Sequence, residues 1–232
     1  MLFADRREAG ERLAATLLRF KTQRPVVLAL PRGGAPVAFE IAKRLEAPLD
    51  VVLVRKIGHP MSPELAIGAI ADGPRLEKVI DDQAAAELGV PQNYLEAEIA
   101  RQSCEIDYRR RLYFKNRAPI EIRQCTALVV DDGIATGATM RAALRAVRRR
   151  SPARLVLAVP VAPSSTLESL RREVDEIVCL VAPEDFGAVG LFYADFRPVE
   201  DSAVIDLLDR AAKARTWLSP AARSSVGSEA KA

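Results

Sequence analysis

Short apolar segments alternate with amphipathic segments along most of this chain, and this alternation restricts the fold more than any other feature. Four runs consist of strand-forming residues: VVLAL (26–30), TALVVDD (126–132), LVLAVPVA (155–162) and EIVCLVA (176–182). Four other segments carry apolar side chains at helical spacing: 5–20, 35–47, 139–149 and 165–173. Apolar strands that alternate with helices predict an α/β fold, a mostly parallel twisted sheet with helices on both faces.

The remaining segments predict additions to this sheet. LDVVLVRKI (49–57) has the composition of one further strand, while LAIGAIADG (65–73) and LEKVID (76–81) favour two neighbouring strands around a turn at Gly73-Pro74. Residues 81–116 predict a helical insertion of two helices, and 183–200 a small C-terminal hood. We expect one domain over residues 1–211, followed by a disordered tail (212–232) rich in Ala, Ser, Gly and Lys.

Composition excludes several classes of protein. With 49% hydrophobic residues and a net charge of +3 over 232 residues, the chain can bury a core, and its basic excess is too small to indicate nucleic-acid binding. Cys104, Cys125 and Cys179 are far apart and form no CxxC motif, so we expect no zinc site or disulfide framework. No apolar run reaches the ~20 residues that span a bilayer. These features predict a cytoplasmic protein without a membrane partner.

The segment VVDDGIATGATM (129–140) places Asp131 and Asp132 directly after a predicted strand. Loops at the carboxyl ends of parallel strands bind ligands, and Gly133 and Gly137 allow a turn whose N–H groups can bind an anion. Two carboxylates would repel a phosphate but can accept hydrogen bonds from vicinal hydroxyls. The pattern therefore predicts a ribose 5-phosphate site; its structural alternative is an aspartate-capped helix after a strand.

This segment closely resembles the phosphoribosyl-diphosphate (PRPP) motif of the type I phosphoribosyltransferases, whereas GxxxxGK[ST] and GxGxxG motifs are absent. The resemblance implies transfer of 5-phosphoribosyl from PRPP, with Mg²⁺ bound mainly through PRPP. Asp131 and Asp132 would be catalytic residues that orient the ribose and stabilise positive charge at its C1. The 5-phosphate would be bound by the loop that follows: Gly133, Ile134, Ala135, Thr136, Gly137, Ala138 and Thr139.

Two further segments match the part of the family site that holds pyrophosphate. PRGG (31–34) offers the Arg32 guanidinium and the N–H groups of Gly33 and Gly34, and the resemblance suggests a strained non-proline cis peptide at Arg32-Gly33. Arg55 and Lys56 match a basic pair that reaches the pyrophosphate, Lys56 with a catalytic role. An ordinary strand-to-helix turn and a solvated strand end are the respective structural alternatives.

The resemblance also assigns a flexible catalytic loop and an acceptor side. IGHPMSPELAIG (57–68) matches the loop that closes over PRPP, and it contains His59 and Glu64 as candidates for proton transfer or as structural residues. Ala135 replaces the aspartate that hypoxanthine-guanine transferases use toward N7, which argues against a 6-oxopurine acceptor of that type. Adenine-type members also lack this aspartate, so the purine class as a whole stays open. The acceptor would be a nucleobase-like nitrogen compound, covered by a hood that holds four aromatic residues, one of which could stack on a base: Phe186, Phe192, Tyr193 and Phe196.

Two alternatives to an enzyme stay open. The first is a non-catalytic PRPP-sensing regulator that binds RNA or DNA through RRRLYFK (109–115) and RAVRRR (145–150), although their spacing favours solvated helix faces. The second is a hydrolase or phosphate-binding module on the same fold. Homodimers are common in the family, and its resemblance to this chain covers roughly residues 1–210.

Overall fold

The computed structural model of the chain describes residues 2–72, 76–115 and 117–218. Seven α-helices, eight strands and three short 3-10 helices lie in these ranges. In chain order the α-helices and strands are α1 (Arg6–Leu17), β1 (Pro25–Ala29), α2 (Gly34–Leu45), β2 (Leu49–Val51), β3 (Val54–His59), β4 (Ser62–Ala71), β5 (Glu77–Ile80), α3 (Asp82–Glu87), α4 (Gln92–Phe114), β6 (Thr126–Val130), α5 (Ala138–Arg149), β7 (Arg154–Val161), α6 (Ser164–Leu170), β8 (Glu176–Val181) and α7 (Asp201–Leu218).

The main sheet has five parallel strands in the order β2-β1-β6-β7-β8. Every residue of β1 and β6 is buried, because helices cover both faces of the sheet. α1 and α2 pack on one face through residues such as Leu13 and Ile41, and α5 and α6 pack on the other through Leu144 and Leu170. The predicted α/β class and the parallel sheet are confirmed.

LDVVLVRKI (49–57) does not form one strand, and this part of the prediction was wrong. The chain leaves the main sheet after β2 and begins a separate antiparallel sheet, β3-β4-β5, at Val54. Val52 and Leu53, which lie between the two strands, are both buried. Because the apolar run continues across the change of sheet, the sequence does not show where the first strand ends. The predicted pairing of β4 with β5 is confirmed, while Gly73 and Pro74 lie outside the described residues.

The segment predicted as a flexible loop (57–68) is mostly a β-hairpin, so its assignment as a loop was wrong. β3 extends to His59 and β4 begins at Ser62, with register shifts on both sides of Gly58. The two prolines that suggested a loop lie in or beside the hairpin turn, where proline costs little. His59 Nδ1 accepts a hydrogen bond from the Met61 N–H at 3.2 Å, and the Glu64 side chain lies outside the described part.

The helical insertion is present as α3 and α4, which are separated at Gly89, a residue with a positive φ of 65°. The C-terminal helix α7 extends to Leu218, so the disordered tail was predicted to begin too early: residues 212–218 continue a helix rich in alanine. Residues 219–232 lie outside the described ranges. Among the helices that the structure describes, none is long and apolar enough to cross a membrane.

Candidate active site

Asp131 and Asp132 lie at the carboxyl end of β6, in the centre of the main sheet. Asp132 is buried, and its N–H donates a hydrogen bond of 2.9 Å to Asp131 Oδ1. Burial raises the pKa of Asp131 well above its usual value, the neighbouring charge of Asp132 raises it further, and Arg6 opposes both effects. Asp131 therefore binds a proton more readily than an isolated aspartate would.

The PRGG loop lies directly against these two carboxylates. A Cβ atom on Gly33 would be 2.2 Å from Asp132 Oδ2, and one on Gly34 would be 2.7 Å from the Val130 carbonyl oxygen. Only glycine fits at either position, because no side chain can approach so closely. The structure therefore brings together two segments that are about 100 residues apart in the sequence and that were both predicted to bind PRPP.

Arg32 and the backbone near it differ in one respect from the prediction. The cis peptide bond joins Pro31 and Arg32, one residue earlier than the predicted Arg32-Gly33 bond. The Arg32 side chain is exposed, and its Nη1 atom is 4.0 Å from Glu200 Oε2 at the end of the hood. A partner this distant and exposed holds the guanidinium only weakly, which leaves Arg32 able to bind a ligand anion.

The loop from Gly133 to Thr139 leads from the carboxylates to α5. Its inner side is fixed by two hydrogen bonds: the Ile134 N–H donates to the Val161 carbonyl at 3.0 Å, and Thr166 Oγ1 donates to the Ala135 carbonyl at 2.7 Å. Within the described residues, the N–H groups of Ala135–Thr139 have no hydrogen-bond acceptor. Successive free N–H groups at a helix N-terminus can bind an anion, and binding of the 5-phosphate by this loop stays a prediction.

Arg55 and Lys56 lie in β3 of the antiparallel sheet and not at the end of a main-sheet strand. Arg55 Nε donates a hydrogen bond of 2.8 Å to Gln102 Oε1, so this side chain is directed at α4. Neighbouring strand residues point to opposite faces, and Lys56 therefore lies on the face of β3 away from Gln102. The two basic residues do not act as a pair in this structure.

Two residues contact Asp132 that the sequence did not place beside it: Arg6, which had no predicted role, and Tyr193, which was predicted only as a candidate for stacking on a base. Arg6 Nε is 2.7 Å from Asp132 Oδ2, and the Tyr193 hydroxyl donates a 2.5 Å hydrogen bond to the Asp132 carbonyl. Burial, and secondarily the charge of Asp132, raise the pKa of the Tyr193 hydroxyl far above its usual value, so it stays a donor. An arginine in the first turn of a helix and a tyrosine in a loop carry no local sequence signal for these contacts.

The hood contacts both the carboxylates and the N-terminus of the chain. Tyr193 packs against Phe3 and Phe196, with ring centroids 5.3 and 5.0 Å away, while Phe186 and Phe192 stack on each other at 5.5 Å. The N–H of Ala194 donates to the Phe3 carbonyl, which ties the hood to the segment before α1. Tyr193 and Phe196 therefore serve packing in this structure.

Most basic side chains of the two clusters form ion pairs within the protein. In α5, Arg145 pairs with Glu173 at 2.7 Å, and Arg148 and Arg149 pair with Asp175 and Glu77. In α4, Arg109 pairs with Glu105 and Arg110 pairs with Asp72. This pairing favours the interpretation of both clusters as solvated helix faces over the interpretation as a nucleic-acid surface.

Comparisons with known proteins agree with this geometry. The family described as "Phosphoribosyl transferase domain" matches residues 5–197. Two proteins of Mycobacterium tuberculosis, from strains CDC 1551 and H37Rv, are each 43% identical over 211 residues and carry provisional names as phosphoribosyl transferases. The match covers 90% of this chain but 47% of each relative, so the chain spans about half their length.

A solved structure is similar over nearly its whole length. The protein TT1426 from Thermus thermophilus is 45% identical to this chain and superposes with a TM-score of 0.79. The similarity covers 90% of this chain and 98% of TT1426. The family match spans the PRGG loop, the two carboxylates and most of the hood.

Proposed function

The chain belongs to the phosphoribosyl transferase domain family, and on that premise we propose that it transfers the 5-phosphoribosyl group of PRPP to a nitrogen nucleophile and releases pyrophosphate. In this reaction the bond between C1 of the ribose and the pyrophosphate oxygen breaks, and its electron pair leaves with pyrophosphate. The nitrogen lone pair forms the new bond to C1, and the nitrogen then loses its proton.

The contact between the PRGG loop and the two carboxylates is the observation that most supports this proposal. Gly33 and Gly34 lie so close to Asp132 and Val130 that no side chain fits between them. An anion-binding loop, a diol-binding pair and a second anion-binding loop then line one edge of the sheet. PRPP carries its 5-phosphate, ribose hydroxyls and pyrophosphate in the same order.

Each segment has a defined part in the proposed reaction. The free N–H groups of the 135–139 loop bind the 5-phosphate, and Asp131 and Asp132 accept hydrogen bonds from the ribose hydroxyls. Arg32 and Lys56, with the N–H groups of the PRGG loop, bind the pyrophosphate. In this structure Arg55 is directed at α4, so we assign it a smaller part. Catalysis comes from positioning and from carboxylates that stabilise positive charge at C1.

The donor groups fit a magnesium ion that is held through the substrate. The described residues contain no cluster of three or more His, Cys, Asp or Glu side chains that could hold a metal, and Asp131 and Asp132 are the carboxylates nearest the PRGG loop. Mg²⁺ commonly binds one or two carboxylates plus substrate phosphates. When bound, it neutralises the leaving pyrophosphate.

We propose a nucleobase-like acceptor beneath the hood and the β3–β4 hairpin, which would exclude water from the reaction. Ala135 is exposed in the phosphate loop, and its methyl side chain offers no carboxylate to accept a proton from a purine N7. Phe186 and Phe192 stack on each other, and Phe192 also packs against the cluster of Phe3, Ala9 and Tyr193, so Phe186 is the hood aromatic with the fewest packing contacts to that cluster.

The three free cysteines agree with a reducing compartment, and we expect the protein in the cytoplasm.

Calorimetric titration with PRPP and Mg²⁺ tests the proposal. We expect the native protein to bind PRPP only with Mg²⁺, and the double variant Asp131→Asn/Asp132→Asn to bind at least 100-fold more weakly. Glu168→Gln is the matched control, because this exposed carboxylate pairs with Arg171 away from the site. Absence of PRPP binding by the folded native protein would refute the function. If binding is found, release of pyrophosphate with a panel of nucleobases would identify the acceptor.

A further inference from the structure

Arg6 fixes the Asp132 carboxylate from outside the main sheet. Its Nε atom is 2.7 Å from Asp132 Oδ2, and its Nη1 donates a 2.9 Å hydrogen bond to the Arg197 carbonyl in the hood. The guanidinium carbon lies 3.8 Å from the centre of the Phe196 ring. Only 11% of the Arg6 side chain is exposed, so this cation is held by a carboxylate, a carbonyl and an aromatic face together.

The start of α1 determines where Arg6 lies. Asp5 caps the helix by accepting a hydrogen bond from the Glu8 N–H, and Glu8 accepts one from the Ala4 N–H in return. This reciprocal cap fixes the first helical residue, which is Arg6. The arginine therefore approaches the site from a rigid helix end.

Asp132 has little freedom between its neighbours. Its Oδ2 atom lies against Gly33 on one side and Arg6 on the other, and its carbonyl accepts the hydrogen bond from Tyr193. Without the arginine, a buried carboxylate would lie beside Asp131 with no cationic partner. Such a carboxylate is no longer held in one orientation, and once it rotates away it accepts ribose hydroxyls less well.

We propose that Arg6 is a positioning residue that holds the Asp132 carboxylate in the orientation needed to bind the ribose of PRPP, and that it links this carboxylate to the hood. The inference rests on the proposed function. Arg6 does not touch the reacting atoms; it acts through Asp132. Because Asp132 serves the ribose and the PRGG loop serves the pyrophosphate, loss of Arg6 weakens ribose-containing ligands selectively.

The test compares two probes, Mg-PRPP and Mg-pyrophosphate, in titrations with four proteins. These are the native chain, Arg6→Met, Arg6→Lys and the control Arg7→Met, in which the neighbouring arginine, 71% exposed, loses its pairing with Glu11. For Arg6→Met we expect at least tenfold weaker PRPP binding and less than a twofold change for pyrophosphate. Arg6→Lys keeps the charge but cannot reach Asp132 and Arg197 together, so we expect an intermediate loss. Arg7→Met binds both probes as the native protein does.

The outcomes separate this inference from the proposed function. A native protein that binds no PRPP refutes the function itself. A native protein that binds PRPP, with Arg6→Met binding it equally well or more tightly, overturns only the role of Arg6. Equal losses for PRPP and pyrophosphate, or an Arg6→Lys variant with native affinity, also overturn it, because they indicate a general structural contact or a role for charge alone. If Arg6→Met does not fold, the PRPP and pyrophosphate affinities of Arg6→Lys decide whether Arg6 positions Asp132.

Discussion

The two sheets of this protein hold their parts of the proposed site in different ways. At the edge of the parallel sheet, the PRGG loop, the carboxylates and the phosphate loop are in van der Waals contact or share hydrogen bonds with neighbouring strands. In the antiparallel sheet, Arg55 and Lys56 lie on a hairpin whose register shifts at Gly58. Close backbone packing determines the structure of the first region, so we expect it to tolerate few amino-acid substitutions. The second region carries long side chains on a hairpin, and we expect substitutions there to have smaller effects.

Substitution of Gly34 is expected to have the largest effect, because it tests the close packing directly. A Cβ in Gly34→Ala would lie 2.7 Å from the Val130 carbonyl oxygen and 2.9 Å from Asp131 Cα, both backbone atoms that cannot rotate away. We expect Mg-PRPP binding to fall at least 100-fold and stability to fall by about 2–4 kcal/mol, in the upper range for single substitutions.

Gly89→Ala is the control for this experiment. Gly89 has a φ of 65°, but no atom lies within 4 Å of the place that a Cβ would occupy, so alanine there meets backbone strain without a clash. We expect a cost of about 1 kcal/mol and native PRPP affinity. Calorimetry and thermal unfolding measure both quantities. Equal PRPP affinities for the two variants would contradict the importance of close packing at the PRGG loop.

The hairpin is tested by removal of each basic side chain in turn. We expect Lys56→Met to weaken Mg-pyrophosphate binding about tenfold, as for loss of one charged hydrogen bond. Arg55→Met should weaken it less than about threefold, because Arg55 already bonds Gln102. Titration with Mg-pyrophosphate measures both. Equal losses of affinity in the two variants would show that Arg55 turns toward the ligand. The expected difference between the two faces of β3 would then be wrong.

The phosphate loop is tested through its support from α6. Thr166→Val keeps the shape of the side chain but removes the hydrogen bond to the Ala135 carbonyl. We expect stability to fall by about 1 kcal/mol and affinity for ribose 5-phosphate to fall about fivefold, since the loop loses one of its two fixed points. Thr166→Ser, which keeps the hydroxyl, should bind nearly as the native protein does. A Val variant with native affinity would mean that the loop needs no support from α6.

The smallest expected effect concerns the pH dependence of stability. Because the pKa of Asp131 is raised in the folded state, the folded protein binds the extra proton, and stability falls as pH rises above the ordinary value near 3.8. Asp131→Asn removes this loss, so we expect it to raise the melting temperature by a few degrees at pH 7 and to change it little at pH 3.

Asp175 is the matched opposite, because Arg148 lowers its pKa. Its contribution to stability is present above the unfolded pKa and is lost as pH falls through the folded pKa. Asp175→Asn should therefore lower the melting temperature at pH 7, with a difference that shrinks in acid. Thermal unfolding from pH 3 to 8 measures both variants. A lower melting temperature for Asp131→Asn at pH 7 would contradict the raised pKa.

Local pattern was enough to predict the parallel sheet, because β1, β6, β7 and β8 are apolar runs bounded by turns. The carboxylates and the PRGG loop were identified by resemblance, since each is a contiguous motif. The change of sheet at Val52 was missed because both sheets bury that run. Arg6 and Tyr193 are 126 and 61 positions away from Asp132 in the sequence. Patterns of apolar residues predict local structure and cannot predict contacts at such separations.

The link between Phe3 and the hood has a practical consequence for handling the protein. The Leu2 and Phe3 N–H groups both donate to the Phe192 carbonyl, so the start of the chain lies beside the hood and the carboxylates. α7 instead runs past Lys43 and Glu46 at the far end of α2. A purification tag or fusion partner joined at the N-terminus would therefore crowd the proposed active site. One joined after α7 would be attached beside the far end of α2, away from the PRGG loop.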